Sequence, residues 1–163
     1  MKYRITAADL LSLIVRPTLR WLGEKYATHE AEVLLIAIAI QESRLAARRQ
    51  QPSGPARSYW QIEPQTAKAV YLKWGTGQRA LDKLGLRPVT LLIAKEQMEW
   101  SEVGSCIIAR GILYLDSKPL PWVGNEDAAW DYYANRTWRP GKPRHNAWQQ
   151  SYSTAMDAVA LAE

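Results

Sequence analysis

Val33-Leu34-Leu35-Ile36-Ala37-Ile38-Ala39-Ile40-Gln41-Glu42-Ser43 is the stretch on which the reading of this chain turns. Eight apolar residues in a row, with Thr28 upstream as an N-cap and Glu30 and Glu32 in the first turn, predict a helix. A helix apolar nearly all round belongs at the centre of a domain. It also delivers one carboxyl group, Glu42, to its C-terminal end. An acid there sits unfavourably against the helix dipole, so it calls for a chemical role or a pairing with Ser43 or Arg44. At the edge of a hydrophobic surface desolvation disfavours the carboxylate and keeps a proton available near neutral pH. A held proton of that kind is what cleavage of a glycosidic bond requires.

Outward from that helix the period stays helical. Leu10, Leu11, Ile14, Val15, Leu19 and Leu22 recur at steps of three and four, with an expected break near Pro17. Residues 50–58 are turn-forming, and Pro64 opens a short helix. Gly75, Gly77, Gly85 and Pro88 mark an irregular region around a brief helical piece. A long helix over about residues 90–116, with a possible break at Ser101–Gly104, ends at Pro119 and Pro121. Asn125 caps a helix to about Asn135, Arg139 to Pro143 forms a loop, and Trp148, Tyr152, Ala155, Met156, Val159 and Leu161 define the last helix. Alternating β-branched runs are almost absent. The expectation is a mainly α single domain over residues 1–163, with a buried central helix and at most a small β-ribbon within residues 54–62.

Composition narrows the class. With 163 residues, 47 % hydrophobic and 23 % charged, the chain has the make-up of one globular domain. The single cysteine, Cys106, excludes an intramolecular disulfide and reads as a buried, inert thiol. His29 and His145 lack neighbours at ligand spacing, so neither a metal nor another cofactor is expected. Eight Trp and eight Tyr without any Phe favour rings that carry a polar handle, which suits a cleft where sugars stack. The formal net charge of +5 favours anionic surfaces such as cell wall or outer membrane. No recognition-helix pattern accompanies it, so nucleic acid is not the expected partner. Lys2 and Arg4 precede an apolar run, Leu10 to Val15, too short and too interrupted for a secretory signal.

Nineteen residues after Glu42 comes Gln61, inside Tyr59-Trp60-Gln61-Ile62-Glu63-Pro64-Gln65-Thr66-Ala67. With Gln41-Glu42-Ser43, this stretch resembles the soluble lytic transglycosylase and goose-type lysozyme group of the lysozyme-like fold. That group's second motif, Gly-x-x-Gly-Leu-Met-Gln-Ile-x-Pro-x-Thr-Ala, corresponds to residues 55–67. A third, Asn-Ile-x-x-Gly-x-x-Tyr-Leu, resembles Cys106 to Leu115. A fourth, Ala-x-Tyr-Asn-Ala-Gly, is echoed loosely by Ala129 to Asn135. Ser58 stands where the group has Gly, Tyr59-Trp60 where it has Leu-Met, and Cys106 where it has Asn. Tyr133 and Asn135 are separated by Ala134, which leaves open whether Tyr132 or Tyr133 faces substrate. Arg136 to Pro143 resembles small phage-encoded members.

The resemblance implies a peptidoglycan-cleaving enzyme acting on the MurNAc–GlcNAc bond with Glu42 as its single catalytic acid. The substrate's own 2-acetamido group would assist and its 6-hydroxyl attack, giving a 1,6-anhydromuramoyl product. Substrate-binding candidates are Ser43, Tyr59, Trp60, Gln61, Tyr133 and Asn135. Ser43 could equally cap a loop, Gln61 satisfy a loop backbone, and one of Tyr59 and Trp60 belong to the core. Tyr114 and Leu115 are expected in the core. A hydrolytic lysozyme on the same fold needs a second carboxylate, for which Glu63, Asp82 and Asp131 are available. A glycan-binding virion domain without catalysis is a further alternative. The implied partner is the peptidoglycan strand, acted on by a monomer that reaches the wall after release through membrane holes or as a virion component.

Overall fold

The computed structural model describes residues 4–163; Lys2, invoked in the reading of the N-terminus, lies outside them. The architecture is mainly α. Thr6 and Asp9 exchange the two bonds of a capping box, at 3.0 and 3.1 Å, and start helix α1, Ala7–Leu10. The chain then widens into a π turn, Leu11–Val15, and continues as α2, Arg16–Leu22. The expected break at Pro17 is this π turn. Proline has no N–H to give and its ring crowds the carbonyl one turn back, and a widened turn just upstream relieves both.

Helix α3, His29–Ser43, is the predicted central helix, with Thr28 accepting from the Ala31 amide at 3.2 Å. Every residue from Ala31 to Ala39 is buried. Among them is Glu32, whose carboxylate takes both forks of Arg16 at 2.8 and 2.7 Å, so the α2–α3 contact carries a paired charge. Helix α3 also lies along α9, His145–Leu161, where Trp148, Tyr152, Ala155 and Val159 are buried.

Helices α4, Pro64–Lys73, α5, Gly75–Lys83, α6, Leu91–Trp100, and α7, Glu102–Leu115, form the other half. Trp74 is wedged between α5 and α7. A Cβ on Gly111 would lie 2.6 Å from Trp74 Cε3, and one on Gly77 2.8 Å from its Cζ3. The brief helical piece expected in this region is α5, which begins at Gly75 and runs through Gly77, where bare backbone admits the indole. Ser101 divides α6 from α7 and caps the latter through the Gly104 amide at 2.9 Å, at the position the sequence marks. Helix α8, Glu126–Asp131, is capped by Asn125 and passes into a second π turn, Tyr132–Thr137.

The expected ribbon is reduced to two isolated antiparallel bridges, Arg49 with Arg57 and Arg57 with Ile62. Cys106 is fully buried and free, its thiol pushed up to about 12 by loss of solvent, in keeping with an inert side chain. Tyr114 and Leu115, expected in the core, are instead half-exposed at the end of α7. Tyr114 there meets Tyr26 edge-on at 5.1 Å. No helix among the described residues is long and apolar enough to cross a membrane.

Candidate functional site

The site begins where α3 stops. Arg44 takes the left-handed conformation (φ 51°) and its amide closes on the Ile40 carbonyl at 2.8 Å. Leu45 follows at φ 54°. The Ser43 hydroxyl donates to the Ala39 carbonyl at 2.8 Å and accepts from the Leu45 amide at 3.2 Å. Of the two roles open to Ser43, the hydroxyl is spent on the helix end, although the residue still lines the cleft. These contacts fix the direction in which Glu42 leaves the helix.

The facing wall is the second π turn. It carries Tyr133 onto Glu42, with the phenol donating to Oε1 at 2.5 Å across ninety-one residues of sequence. The ring of Tyr133 lies parallel to Trp148 at 5.0 Å and edge-on to Trp130 at 5.6 Å, so its hydroxyl is held on a rigid aromatic stack. Tyr132 turns the other way and donates to the Leu113 carbonyl at 2.8 Å. Of the two tyrosines between which the sequence does not choose, Tyr133 is the one that reaches Glu42. One residue of extra winding sends the two tyrosines to different partners, Tyr133 to Glu42 and Tyr132 to the α7 carbonyl, and both rings are buried and outside the cleft lining. Asn135 does not reach the cleft lining. Its amide donates to Asp131 at 2.8 Å, one turn back on the same winding.

Electrostatics at Glu42 are set by burial and two neighbours. Burial raises its pKa above the ordinary carboxyl value, and the Tyr133 hydrogen bond and the Arg144 charge pull partly against it. The outcome is a raised pKa. Tyr133 itself is driven far up by burial and then by the Glu42 charge, so its phenol remains a donor at any working pH. Because Tyr133 occupies Oε1 as an acceptor, Oε2 is the oxygen left to carry the proton. Arg144 donates to the Gln41 carbonyl, while Gln41 Nε2 donates back to the Arg144 carbonyl at 2.8 Å and Gln41 Oε1 accepts from Ser151. Gln41, buried beside the acid, thus ties α3 to the start of α9.

The third side is the reduced ribbon. Ser58 and Gln61 both have positive φ (72° and 49°) and close a tight turn through the Gln61 amide and the Ser58 carbonyl at 3.1 Å. The position at which the resembled motif has glycine is therefore one whose backbone favours glycine. Gln61 lines the cleft, with Nε2 held by the Ser58 carbonyl at 2.8 Å, so its Oε1 is the end left to meet a ligand. Trp60, expected as a stacking surface, is fully buried. Its indole donates to the Leu35 carbonyl of α3 at 2.9 Å, because the double left-handed turn aims the side chain at the core. Tyr59 is half-buried under the guanidinium of Arg48, 5.5 Å from the ring centre, and is outside the cleft lining. The tryptophan that does line the cleft is Trp138, whose Nε1 donates to the Trp60 carbonyl at 2.8 Å.

Between these walls runs a cleft of about 1340 Å³. Small-molecule pockets span roughly 300–1,000 Å³, so this one is sized for an extended ligand. Its carboxylates are Glu42 and Glu63. Glu63 is exposed at the rim and accepts from Gln65 at 2.6 Å. Asp82 is held away from the cleft by Tyr71 at 2.6 Å, and Asp131 by Asn135. Arg44, Arg139, Lys142 and Arg144 make the rim cationic. Arg44, Gln61 and Arg139 are three of the five non-glycine residues with positive φ among the described residues, and all three line the cleft. Local strain of this kind gathers where a site over-determines its backbone. Sequence reasoning missed Trp138 and the neighbourhood of Arg144 and Glu42. The only signal for either was the density of Arg, Trp and Pro in residues 136–144.

The chain matches no protein-family model, no curated protein and no solved structure.

Proposed function

We propose that the protein cleaves the MurNAc–GlcNAc β-1,4 bond of peptidoglycan as a lytic transglycosylase, with Glu42 as its single acid–base group. The observation that carries this reading is Glu42 itself. It is a carboxyl group raised in pKa by burial, held through Oε1 by Tyr133, and set at the wall of a cleft of about 1340 Å³. In the proposed reaction protonated Oε2 gives its proton to the leaving glycosidic oxygen as the C1–O bond breaks. The resulting carboxylate takes the proton of the muramoyl 6-hydroxyl as that oxygen bonds to C1. The 2-acetamido group supports C1 between the two events, which replaces a second protein carboxylate. Tyr133 stabilises the carboxylate in the interval, and Gln61 and Trp138 are placed to bind the strand. Delivery to the wall through membrane holes, or as part of a virion, belongs to the same proposal.

One observation favours a second reading: Glu63 lines the same cleft and could activate a water for hydrolysis. Mass spectrometry of muropeptides released from purified peptidoglycan separates the two. Wild type should release products with 1,6-anhydromuramoyl ends, and Glu42→Gln none. Reducing ends, heavier by one water and lost in Glu63→Gln, would replace the transglycosylase with a lysozyme. No products from wild type would refute both.

A further inference from the structure

The apolar surface is distributed unevenly, and so is the charge. Leu84, Val89, Leu91, Leu92 and Ile93 lie within ten residues at the α5–α6 corner, exposed by 43, 43, 54, 65 and 37 %. The first turn of α6 is thus apolar and faces water, while Ala94 and Met98 supply the buried side of the same helix. Thr90 caps it by accepting from the Ile93 amide at 3.2 Å, and the buried Pro88 anchors the approach, so the knob is ordered backbone. Runs of exposed apolar residues of this length disfavour solubility and persist where they serve a contact.

Residues 68–95, the stretch of chain that includes this knob, contain six lysines and arginines against Asp82 alone, a net +5, equal to the formal net charge of the whole chain; the next acid, Glu96, is exposed on α6 four residues after Leu92. The remainder of the molecule is electrically balanced. Asp82 is engaged by Arg87 at 3.4 Å, and Lys68, Lys73, Lys83 and Lys95 have no carboxylate partner among the described residues. From Lys83 to Lys95 the sequence has no acid at all.

We infer that the α5–α6 corner is a docking surface for anionic phospholipid bilayers, separate from the glycan cleft. Two copies of the chain meeting here would oppose two faces of the same charge. Nucleic acid would use the cations but has no counterpart for five aliphatic side chains, and residues 84–93 offer no aromatic ring for a base to stack on. An anionic bilayer meets both halves of the surface. Phosphate headgroups take the lysines, and the boundary of the acyl region takes Leu91 and Leu92.

The test is co-sedimentation of the full chain with vesicles of phosphatidylglycerol and phosphatidylcholine at low ionic strength, beside vesicles of phosphatidylcholine alone. Wild type should pellet with the anionic vesicles and remain in solution with the neutral ones. Leu91→Ser/Leu92→Ser and Lys83→Glu/Arg87→Glu should each weaken binding by about tenfold or more, from lost apolar insertion and lost charge respectively. Both pairs are on the surface, so each variant should keep the wild-type circular dichroism; if one fails to fold, the other still decides. Wild type that stays in solution with anionic vesicles, or pellets equally with neutral ones, would overturn the inference. So would variants that bind as wild type does, or a wild-type dimer in light scattering that Leu91→Ser/Leu92→Ser converts to monomer.

Discussion

Replacing Glu42 with glutamine should make the protein more stable at neutral pH and leave its stability unchanged in acid. Burial raises the carboxyl pKa in the folded state above its unfolded value. Between those two values the native state binds the extra proton, so stability falls as pH rises through the window. Above the folded pKa the ionised group costs the protein its full penalty; below the unfolded pKa, near 4.3 for a free Glu, it costs nothing. Glutamine is nearly isosteric, never ionises, and keeps an Oε1 to accept from Tyr133. Relief of a strained functional group is worth about 0.5–2 kcal/mol. The cleft admits solvent to one side of Glu42, which places the expectation in the lower half of that range. For a domain of this size each kcal/mol moves Tm by about 2–4 °C. Thermal denaturation of Glu42→Gln against wild type at pH 7.5 should therefore show a rise of about 1–4 °C, shrinking to nothing by about pH 3.5. A lower Tm at pH 7.5 would mean that Arg144 and Tyr133 stabilise the carboxylate more than burial disfavours it. That result would remove the physical basis for a proton held on Glu42.

Two further outcomes follow from the same contacts. Tyr133→Phe removes the donor that pulls the Glu42 pKa down. The alkaline limb of the pH–rate profile should shift to higher pH, while the rate at its optimum falls about ten- to a hundredfold through loss of a charge-assisted bond; a limb moving to lower pH contradicts the assignment. Trp60→Phe deletes an indole N–H that serves the α3 carbonyl of Leu35 and leaves a gap in the core. It should lower Tm by about 2–8 °C, equivalent to about 1–2 kcal/mol, with KM for glycan unchanged; a raised KM would return Trp60 to the cleft.

The helices were legible where one local signal decided them. Thr28 and Asn125 announced their caps, Ser101 marked a break, and the run from Val33 to Ile40 could sit nowhere except the interior. What composition misjudged was glycine. Gly75 and Gly77 marked an irregular region around a brief helix because propensity speaks only of the backbone, whereas Gly77 and Gly111 make room for an indole supplied by Trp74. Within the site, Glu42 and Gln61 were legible because each follows a short pattern of chemical types. Trp60 was misread because its direction depends on two left-handed residues, Ser58 and Gln61, that no propensity assigns to serine or glutamine. Tyr132 and Tyr133 could not be ranked either, since a π turn shifts which residue points inward and leaves no mark in composition.

The pattern of failure has a physical cause that bears on the site itself. Sequence reasoning assumes that each residue adopts the backbone it prefers, and around this cleft several do not. Arg44, Leu45, Ser58, Gln61 and Arg139 occupy the left-handed region without being glycine, and the chain winds an extra residue beneath Tyr133. Each departure costs of order 1 kcal/mol or more, and each is held by buried neighbours: the Ser43 hydroxyl, the Trp60 indole, the Trp138 N–H, the Tyr133–Trp148 stack. Three of these residues line the cleft and two, Leu45 and Ser58, are buried; such strain is difficult to account for as packing alone, since glycine at those positions would relieve it. It is accounted for if Arg44, Gln61 and Arg139 must project into the cleft, and if Tyr133 must meet Glu42 at hydrogen-bonding distance. The places where sequence and backbone disagree thus coincide with the acid that the sequence singled out first.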